Sequence, residues 1–308
     1  MSKFQRSWLL LKSSISIIAQ NKLLLVFPIV TFACTVIIIA FFLAPPLLRP
    51  TGYPYGSSQH WQAIYHSLFN QTADAAGRSS SRIAFTPAAG AYLVFLYFVS
   101  MFLATFLNVA FYHEILSALS GQAVSIERGL KFAAGRLKAI LLWTLFAGLV
   151  GLVIKTIEQR LQLVGRIIAR FLGLAWSVAA IFVIPVMVRD EQTANPLAML
   201  RKSGSILKRT WGEALIGYAG LAFANAFILI GSIVILIGAV FASVVFSNYW
   251  IIAFVGVLWL LLLFAWSYLT GVAGQVYKGA LYLYAAEGVI PQPYNKEMLD
   301  QAWKYKKA

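Results

Sequence analysis

Charged residues are scarce in this chain of 308 residues: they make up 11% of it, whereas hydrophobic residues make up 60%. An ordinary soluble domain has about 25% charged and about 45–50% apolar residues. The shortage of charge excludes such a domain, because water-soluble folds cannot cover this much apolar surface. The chain is therefore predicted to be an integral membrane protein.

Acidic residues and cysteine are also rare. The chain has 10 Asp and Glu against 25 Lys and Arg, and its single cysteine is Cys34. One cysteine excludes an intrachain disulfide and a metal cage built from cysteines. The basic residues are dispersed between apolar segments and form no compact basic domain, so nucleic acid is not an expected partner. The anionic head groups of the phospholipid bilayer are the expected one.

Six apolar runs are long enough to cross a membrane. They lie at roughly 23–48, 86–112, 138–157, 170–188, 214–246 and 250–275. A helix needs about 20 apolar residues to cross the hydrocarbon core, and a helix satisfies its own backbone polar groups there. The predicted fold is all-α: one polytopic transmembrane bundle over residues 1–308, with about six spans arranged as three hairpins.

The distribution of Lys and Arg predicts the orientation, because short cytoplasmic loops carry an excess of basic residues. With the amino terminus in the cytoplasm, seven of the 25 basic residues fall on the opposite side: Arg49, Arg78, Arg82, Lys155, Arg160, Arg166 and Arg170. Both termini are predicted to be cytoplasmic, in a bacterial inner membrane. The amino end lacks the compact run and cleavage site of a signal peptide, so the first span is expected to be retained.

A basic amphipathic segment precedes each predicted hairpin, at 1–22, 115–137 and 190–212. In the second segment, for example, Ile126, Leu130, Ala134 and Leu137 fall at helical spacing, and the basic residues lie off that stripe. Such segments are typical of helices that lie in the membrane interface, here on the cytoplasmic side. The loop at 49–85 is predicted to form an extracytoplasmic cap, and residues 277–308 a cytoplasmic tail.

Four phrases occur in order along the chain: SWLLLKSSISIIAQNKLLLVFPIV, NVAFYHEILSALSGQAVSIERGL, AWSVAAIFVIPVMVRDE and KSGSILKRTWGEALIGYAGL. Together they resemble a family of bacterial and archaeal six-span membrane proteins of unknown function. More loosely, they resemble the membrane domain found beside some glycerophosphodiester phosphodiesterases. The resemblance implies the architecture and no activity, and the chain contains no phosphodiesterase catalytic domain.

Polar and small residues within the spans predict helix packing. Ionisable residues at bilayer depth, which usually mark a transport path, are almost absent. Asn108 and Asn225 are the polar residues at depth, and a hydrogen bond between helices is favoured for them over contact with a substrate. Gly217, Gly220 and Ala224 have the spacing of a close helix contact, within the chain, with a second copy or with another membrane protein.

Two groups of titratable residues are weak candidates for chemistry. His113 and Glu114 are adjacent, and adjacent helical positions point about 100° apart, so interfacial anchoring is favoured over catalysis or gating. His60, His66 and Asp74 lack the spacing of a metal motif, so a solvated cap is favoured over a metal site. No catalytic residue, cofactor or metal is predicted, and the protein is expected not to be an enzyme.

Two basic clusters are candidate contacts for anions or lipid head groups. The first lies at the ends of the third and fourth runs and comprises Lys155, Arg160, Arg166 and Arg170. Snorkelling and an ion pair with Glu158 are the plainer explanation for this cluster. The second lies before the fifth run and comprises Arg201, Lys202, Lys208 and Arg209.

The preferred function is a non-enzymatic one: a membrane-organising or accessory protein that contacts anionic lipid or docks a partner. The alternative is a transporter or channel that moves a small apolar or anionic solute past the arginine residues at 160, 166 and 170. A conduit needs a polar or water-filled passage through the hydrocarbon depth, whereas an organising protein can be packed dry. The few polar residues at depth favour the dry interior.

Overall fold

The computed structural model describes residues 3–73, 79–160, 163–209, 229–295 and 299. These residues are mostly helical. The α-helices are α1 (Lys3–Gln20), α2 (Val26–Leu47), α3 (Ser58–Leu68), α4 (Pro87–Leu119), α5 (Ile126–Gly135), α6 (Leu137–Arg160), α7 (Leu163–Ala179), α8 (Val183–Arg189), α9 (Pro196–Arg209), α10 (Leu229–Val245) and α11 (Tyr249–Tyr282). A 3-10 turn at Lys22–Leu25 leads into α2, and a π-helical turn at Leu283–Glu287 follows α11.

Five helical segments of the described chain are long and apolar enough to cross a membrane: Lys22–Leu47, Pro87–Leu119, Leu137–Arg160, Gly165–Arg189 and Ile252–Glu287. They match five of the six predicted runs and confirm the prediction of a membrane protein with several spanning helices. The predicted run at 214–246 falls partly outside the described residues, and its described part is the shorter apolar helix α10.

Contacts along the helices show which neighbours run antiparallel. Phe27 of α2 stacks on Phe111 of α4, with ring centroids 5.4 Å apart, whereas the Tyr92 hydroxyl near the start of α4 donates to the Phe42 carbonyl. In α6 and α7, Trp143 stacks on Trp176 at 6.0 Å and Glu158 pairs with Arg170. The order of contacts is reversed in each pair, so α2 with α4 and α6 with α7 are antiparallel.

One end of the bundle, here called the basic end, consists of the last turns of α4, α8 and α11 together with α1, α5 and α9. α4 and α11 reach this end by running farther than the apolar runs predicted, to Leu119 and Tyr282. Residues 115–119 are thus part of α4 and do not belong to a separate interfacial helix. Tyr277 and Tyr282 are buried in the core, so the first residues of the expected tail are part of the bundle.

The apolar faces of α1, α5 and α9 pack against the rest of the bundle. Leu10, Leu11, Ile17 and Ile18 of α1 are buried, as are Met199, Ile206 and Leu207 of α9. In α5 the fully buried positions are Gly129 and Ala133. Ile126 and Leu130 of the predicted stripe pack partly buried against the core, whereas Ala134 and the following Leu137 are exposed. The amphipathic pattern of these helices is therefore accounted for by contacts within the protein.

The segment at 49–85 contains a helix and a pair of β-strands. Ser57 caps α3 by accepting a hydrogen bond from the His60 backbone N–H. After α3, the strands β1 (Phe69–Ala73) and β2 (Ser79–Phe85) form an antiparallel pair, in which Phe69 lies opposite Phe85. Apart from this strand pair, the described elements are helical, in agreement with the predicted all-α class. Thr86 then caps α4 ahead of Pro87, which is favoured in a first helical turn because its missing N–H is not needed there.

The helical segment of α7 and α8 is interrupted at residues 180–182. Pro185 has no N–H and cannot continue the helical hydrogen bonds across this point. The Ser203 hydroxyl of α9 donates to the Ala179 carbonyl at 2.6 Å and accepts from the Phe182 N–H at 3.0 Å. Ser203 is fully buried, so it satisfies the interrupted backbone in place of water.

Candidate functional site

The Glu114 carboxylate is the centre of a polar network at the basic end. Its side chain is 0% exposed, and it accepts from Arg128 at 3.0 Å (Nε to Oε1) and 2.6 Å (Nη2 to Oε2). It also accepts from the Ser125 backbone N–H at 2.7 Å and lies 3.0 Å from His113 Nδ1. A bidentate arginine and two further donors match the acceptor capacity of a carboxylate. Glu114 is therefore a structural centre that ties α5 to α4.

Two local features bring Arg128 back to Glu114. Gly121, at φ 80°, ends α4: its N–H bonds the Ala118 carbonyl and the Gln122 N–H bonds the Ser117 carbonyl. This left-handed C-terminal motif favours glycine. Ser125 then caps α5 by accepting from the Arg128 N–H. The turn between these caps reverses the chain and sets α5 against the last turns of α4.

A polar cavity of about 160 Å³ lies beside this network, between the ends of α4 and α8 and the adjoining α5. Its lining includes His113, Ser117, Ser120, Gln122, Phe132, Arg189 and Glu191. The His113 ring is stacked on Phe132 with centroids 4.1 Å apart. Arg189 pairs through Nε with Glu287 at 3.0 Å. The residues that line the cavity thus include an arginine and a glutamate, together with serine and glutamine.

Two further basic residues hold the chain after α8. Arg136 donates to the backbone carbonyls of Met187, Asp190, Glu191 and Thr193, which fixes the turn that carries Glu191. Lys202 donates to Asp190 Oδ2 at 2.9 Å. The hydrogen bond from Lys202 lowers the pKa of Asp190, an effect that partial burial opposes. These contacts give the rim of the cavity a defined shape.

The predicted cluster of Lys155, Arg160, Arg166 and Arg170 lies on α6 and α7, on the far side of the spans from the basic end. Glu158 pairs there with Arg170 at 3.2 Å and with Lys155 at 3.8 Å. Arg160 and Arg166 are exposed. The predicted ion pair of Glu158 is present, and it joins the two helices at this end.

In the second predicted cluster, Arg201 and Lys208 are exposed on α9, and Lys202 is engaged by Asp190. Arg209 ends α9, and its side chain lies outside the described part of the molecule. Arg201 and Lys208 thus lie on the exposed face of α9, and the opposite face of this helix is buried against the bundle.

Of the predicted packing residues, Gly217, Gly220, Ala224 and Asn225 lie outside the described residues. Asn108 is exposed and lines a cavity of about 370 Å³ between α2, α4 and α11. Other polar residues of this lining are Thr31, Ser267 and Gln275, and Gln275 accepts from the Tyr112 hydroxyl at 2.5 Å. The cavity adds a polar surface within the spans that no residue pattern predicted.

The histidines of the 49–85 segment do not form a metal cluster with other described residues. His60 is buried, its Nδ1 lies 2.6 Å from the Thr51 hydroxyl, and its ring packs on Tyr55 at 4.6 Å. His66 packs on Tyr65. Asp74, the third residue considered for a metal site, lies outside the described residues. His60 is thus part of the small core of this segment, where a solvated position was expected.

Sequence reasoning missed the network of Glu114 and the cavity beside it. The sequence pattern related Glu114 only to its neighbour His113. The main partner of Glu114 is Arg128, which lies 14 residues farther along the chain. The available signal was a carboxylate in an apolar helix followed by the turn residues Ser120 and Gly121 and then a basic helix. That order predicts a helical reversal able to pair the two charges.

The model of a family of unknown function (DUF6159) matches residues 88–291, which include α4 to α11 and the cavity at the basic end. No curated protein and no solved structure matches the chain. The comparisons provide no link to glycerophosphodiester phosphodiesterases.

Proposed function

The chain belongs to the DUF6159 family of unknown function, and we propose that it is a non-enzymatic membrane-organising or accessory protein that contacts anionic lipid through its basic end. The observation that carries this proposal is a set of exposed basic side chains on α1 and α9 of that end, on the 3-10 turn that follows α1 and at the start of α6, which follows α5. They are Lys12, Lys22, Lys138, Arg201 and Lys208. None of them forms an ion pair with another residue in the described part of the chain.

The packing of the amphipathic helices supports head-group contact as the role of these charges. Because most apolar side chains of α1, α5 and α9 are used within the bundle, the outward faces of these helices carry basic residues, with Trp8 and Leu197 as exposed large apolar ones. Each basic residue near an anionic leaflet contributes about 1 kcal/mol. Attraction to the bilayer surface would then be electrostatic, with little insertion of these helices into the apolar layer.

The proposal includes six spans in three hairpins, with both termini cytoplasmic in a bacterial inner membrane. The antiparallel pairs α2 with α4 and α6 with α7 support the first two hairpins. Single cysteines at Ser58 and Ser247, on a Cys34→Ser background, should react with an impermeant thiol reagent from outside the cell. A cysteine at Ala308 should not react. Labelling at Ala308 in intact cells would reverse the orientation.

The lipid contact is tested by substitutions that remove the charge of three basic side chains and keep a polar side chain in place of each. Lys138→Gln, Arg201→Gln and Lys208→Gln are combined in one variant, and Lys138→Arg, Arg201→Lys and Lys208→Arg in a matched control. Native mass spectrometry of protein from nanodiscs of mixed phosphatidylglycerol and phosphatidylcholine measures which lipid is retained. The neutral variant should lose its preference for phosphatidylglycerol, and the control should keep it. Equal preference in both variants would remove the basis of the proposal.

A transporter or channel is the second candidate, and the cavity lined by Asn108 and Gln275 is the observation that favours it. Arg160, Arg166 and Arg170 do not line this cavity, because it lies between α2, α4 and α11 and they lie on α6 and α7. The described residues thus do not join the arginines and the cavity lined by Asn108 into one passage. Flux of a solute into liposomes that is abolished by Asn108→Leu would favour transport over the organising role.

A further inference from the structure

We propose that the polar cavity at the basic end binds the head group of phosphatidylethanolamine, taking its phosphate at Arg189 and its ammonium between His113, Ser120 and Glu191. This inference rests on the proposed function only in placing the basic end at the membrane surface. It adds a built, selective site to the unselective attraction of exposed basic residues.

The donors and acceptors of the cavity call for a ligand with both charges. The carboxylate of Glu114 can only accept, so the His113 Nδ1 beside it is the nitrogen that carries a proton, which leaves the other ring nitrogen as the one able to accept. Ser120 donates its hydroxyl to the Leu116 carbonyl at 2.9 Å, which leaves the oxygen to accept. With the Glu191 carboxylate, these two acceptors suit an ammonium group that has N–H donors.

Arg189 supplies the opposite charge. Its guanidinium has five N–H donors, more than the carboxylate of Glu287 takes up, and arginine suits phosphate oxygens because it can donate in pairs. Gln122 adds an amide that can donate or accept. A simple anion would leave the Glu191 carboxylate opposed to it, and a simple cation would be opposed to Arg189. A zwitterionic ligand can place its negative group at Arg189 and its positive group at Glu191, so it avoids both repulsions.

Size and position fit a phospholipid head group. A cavity of about 160 Å³ holds about five water-sized groups at about 30 Å³ each, which is enough for a phosphate, two methylenes and an ammonium. Its walls come from the last turns of the apolar segments Pro87–Leu119 and Gly165–Arg189. The ends of spanning helices lie at the level of the head groups, so a lipid could place its head group here with its chains along the exposed apolar surface.

The test uses purified full-length protein in nanodiscs of equal parts phosphatidylethanolamine, phosphatidylglycerol and phosphatidylcholine. Native mass spectrometry then identifies the retained lipids. The wild type should retain phosphatidylethanolamine about tenfold over phosphatidylcholine, whose methylated ammonium has no N–H donor. Glu191→Gln should reduce that ratio toward one. Glu127→Gln is the matched control, because Glu127 is an exposed carboxylate of α5 outside the cavity and should leave the ratio unchanged.

Ser117→Leu gives an independent test by filling the cavity, and it should also remove the preference. Free O-phosphoethanolamine identifies the source of the ligand: a shift of the unfolding midpoint as large as that given by the lipid would indicate a soluble compound, and no shift would indicate the lipid. Equal retention of phosphatidylethanolamine and phosphatidylcholine by the wild type, with no response to the free compound, would overturn the site. The preference for phosphatidylglycerol over phosphatidylcholine, on which the proposed function rests, is measured separately with the charge variants described above.

Discussion

The basic end of the bundle and the middle of its spans contain similar apolar side chains but bury them to very different extents. At the basic end, Ile115, Tyr277 and Tyr282 are at most 2% exposed. In the spans, Phe32 of α2 is 71% exposed and Phe264 of α11 is 74% exposed. Composition alone does not distinguish the two regions, so the difference has its origin in their surroundings.

The comparison shows where this protein needs a packed interior. Next to water, an apolar side chain is stabilised by burial at about 25 cal/mol per Å². In a bilayer the lipid chains are as apolar as the side chains, so burial against protein gains little from this effect. The fold should therefore depend most on the contacts of the basic end. Four predictions test that expectation, in order of decreasing effect.

The largest effect is expected from Glu114→Ala. The substitution leaves Arg128, His113 and the Ser125 N–H without their shared acceptor. Breaking a buried ion pair by removing one partner costs about 3–5 kcal/mol, and the partial exposure of Arg128 places the expected cost toward the lower end. The midpoint of thermal unfolding in detergent should fall sharply.

Phe264→Ala is the contrasting variant for this test, because it removes a larger side chain from the lipid-facing surface of α11. Its unfolding midpoint should stay close to that of the wild type. If Phe264→Ala destabilises the protein as much as Glu114→Ala does, the comparison between the two regions is wrong.

The second prediction compares two glycines of α11. A Cβ at Gly279 would lie 2.7 Å from Ile115 Cγ2, whereas a Cβ at Gly274 would meet nothing within 4 Å. Gly279→Ala should destabilise the protein by about 1–3 kcal/mol through overpacking. Gly274→Ala should be neutral or stabilising by up to about 1 kcal/mol, because alanine is the better helix former. The same midpoint measured for both variants would show that α11 is not closely packed at the basic end.

Ser203→Ala is expected to have a smaller effect. It removes the hydroxyl that bonds the Ala179 carbonyl and the Phe182 N–H, at a cost of about 1–3 kcal/mol for the buried groups left unsatisfied. Ser205→Ala is the control, because Ser205 is exposed and bonds only the Lys202 carbonyl of its own helix in the described structure. Hydrogen exchange at residues 179–185 should increase in Ser203→Ala alone. Unchanged exchange there would mean that the interrupted helix does not depend on α9.

The smallest effect concerns the partly exposed pair of Asp190 and Lys202. Because the pKa of Asp190 is lowered in the folded protein, the pair stabilises the fold above the unfolded pKa of about 3.9, and its contribution is lost as the pH falls through the folded value. Asp190→Asn should lower stability at neutral pH by at most about 1 kcal/mol. The difference from wild type should shrink as the pH falls below about 3.9 and vanish at a pH below the folded pKa. If Asp190→Asn still differs from the wild type at that low pH, the difference has a cause other than the ion pair with Lys202.

Burial in α5 shows why sequence pattern located the amphipathic helices better than it located their buried faces. The residue pattern placed Ala134 and Leu137 on the packed stripe, whereas Gly129 and Ala133 are the buried positions. A Cβ at Gly129 would lie 2.9 Å from the Ala110 carbonyl oxygen and from Glu114 Cγ. Close approach of two helices selects the smallest side chain, and a hydrophobicity pattern gives glycine little weight.

The amino-acid sequence by itself determined the membrane class, the position of five spans and several helix ends. Long apolar runs and scarce charge specify spanning helices because lipid leaves the backbone no other partner. Ser57, Thr86, Ser125 and Asn248 specify helix starts because a cap needs only its own neighbours. Both signals are local, so they can be read without knowing the fold.

The tertiary structure alone decided what each polar side chain meets. Arg128 reaches Glu114, Ser203 satisfies the break between α7 and α8, and His113, Arg189 and Glu191 line one cavity, although they come from separate elements. Such contacts depend on the turn at Gly121 and on helix packing at the basic end, where water makes burial favourable. Pairing across that distance is a property of the packed helices, and no local pattern contains it.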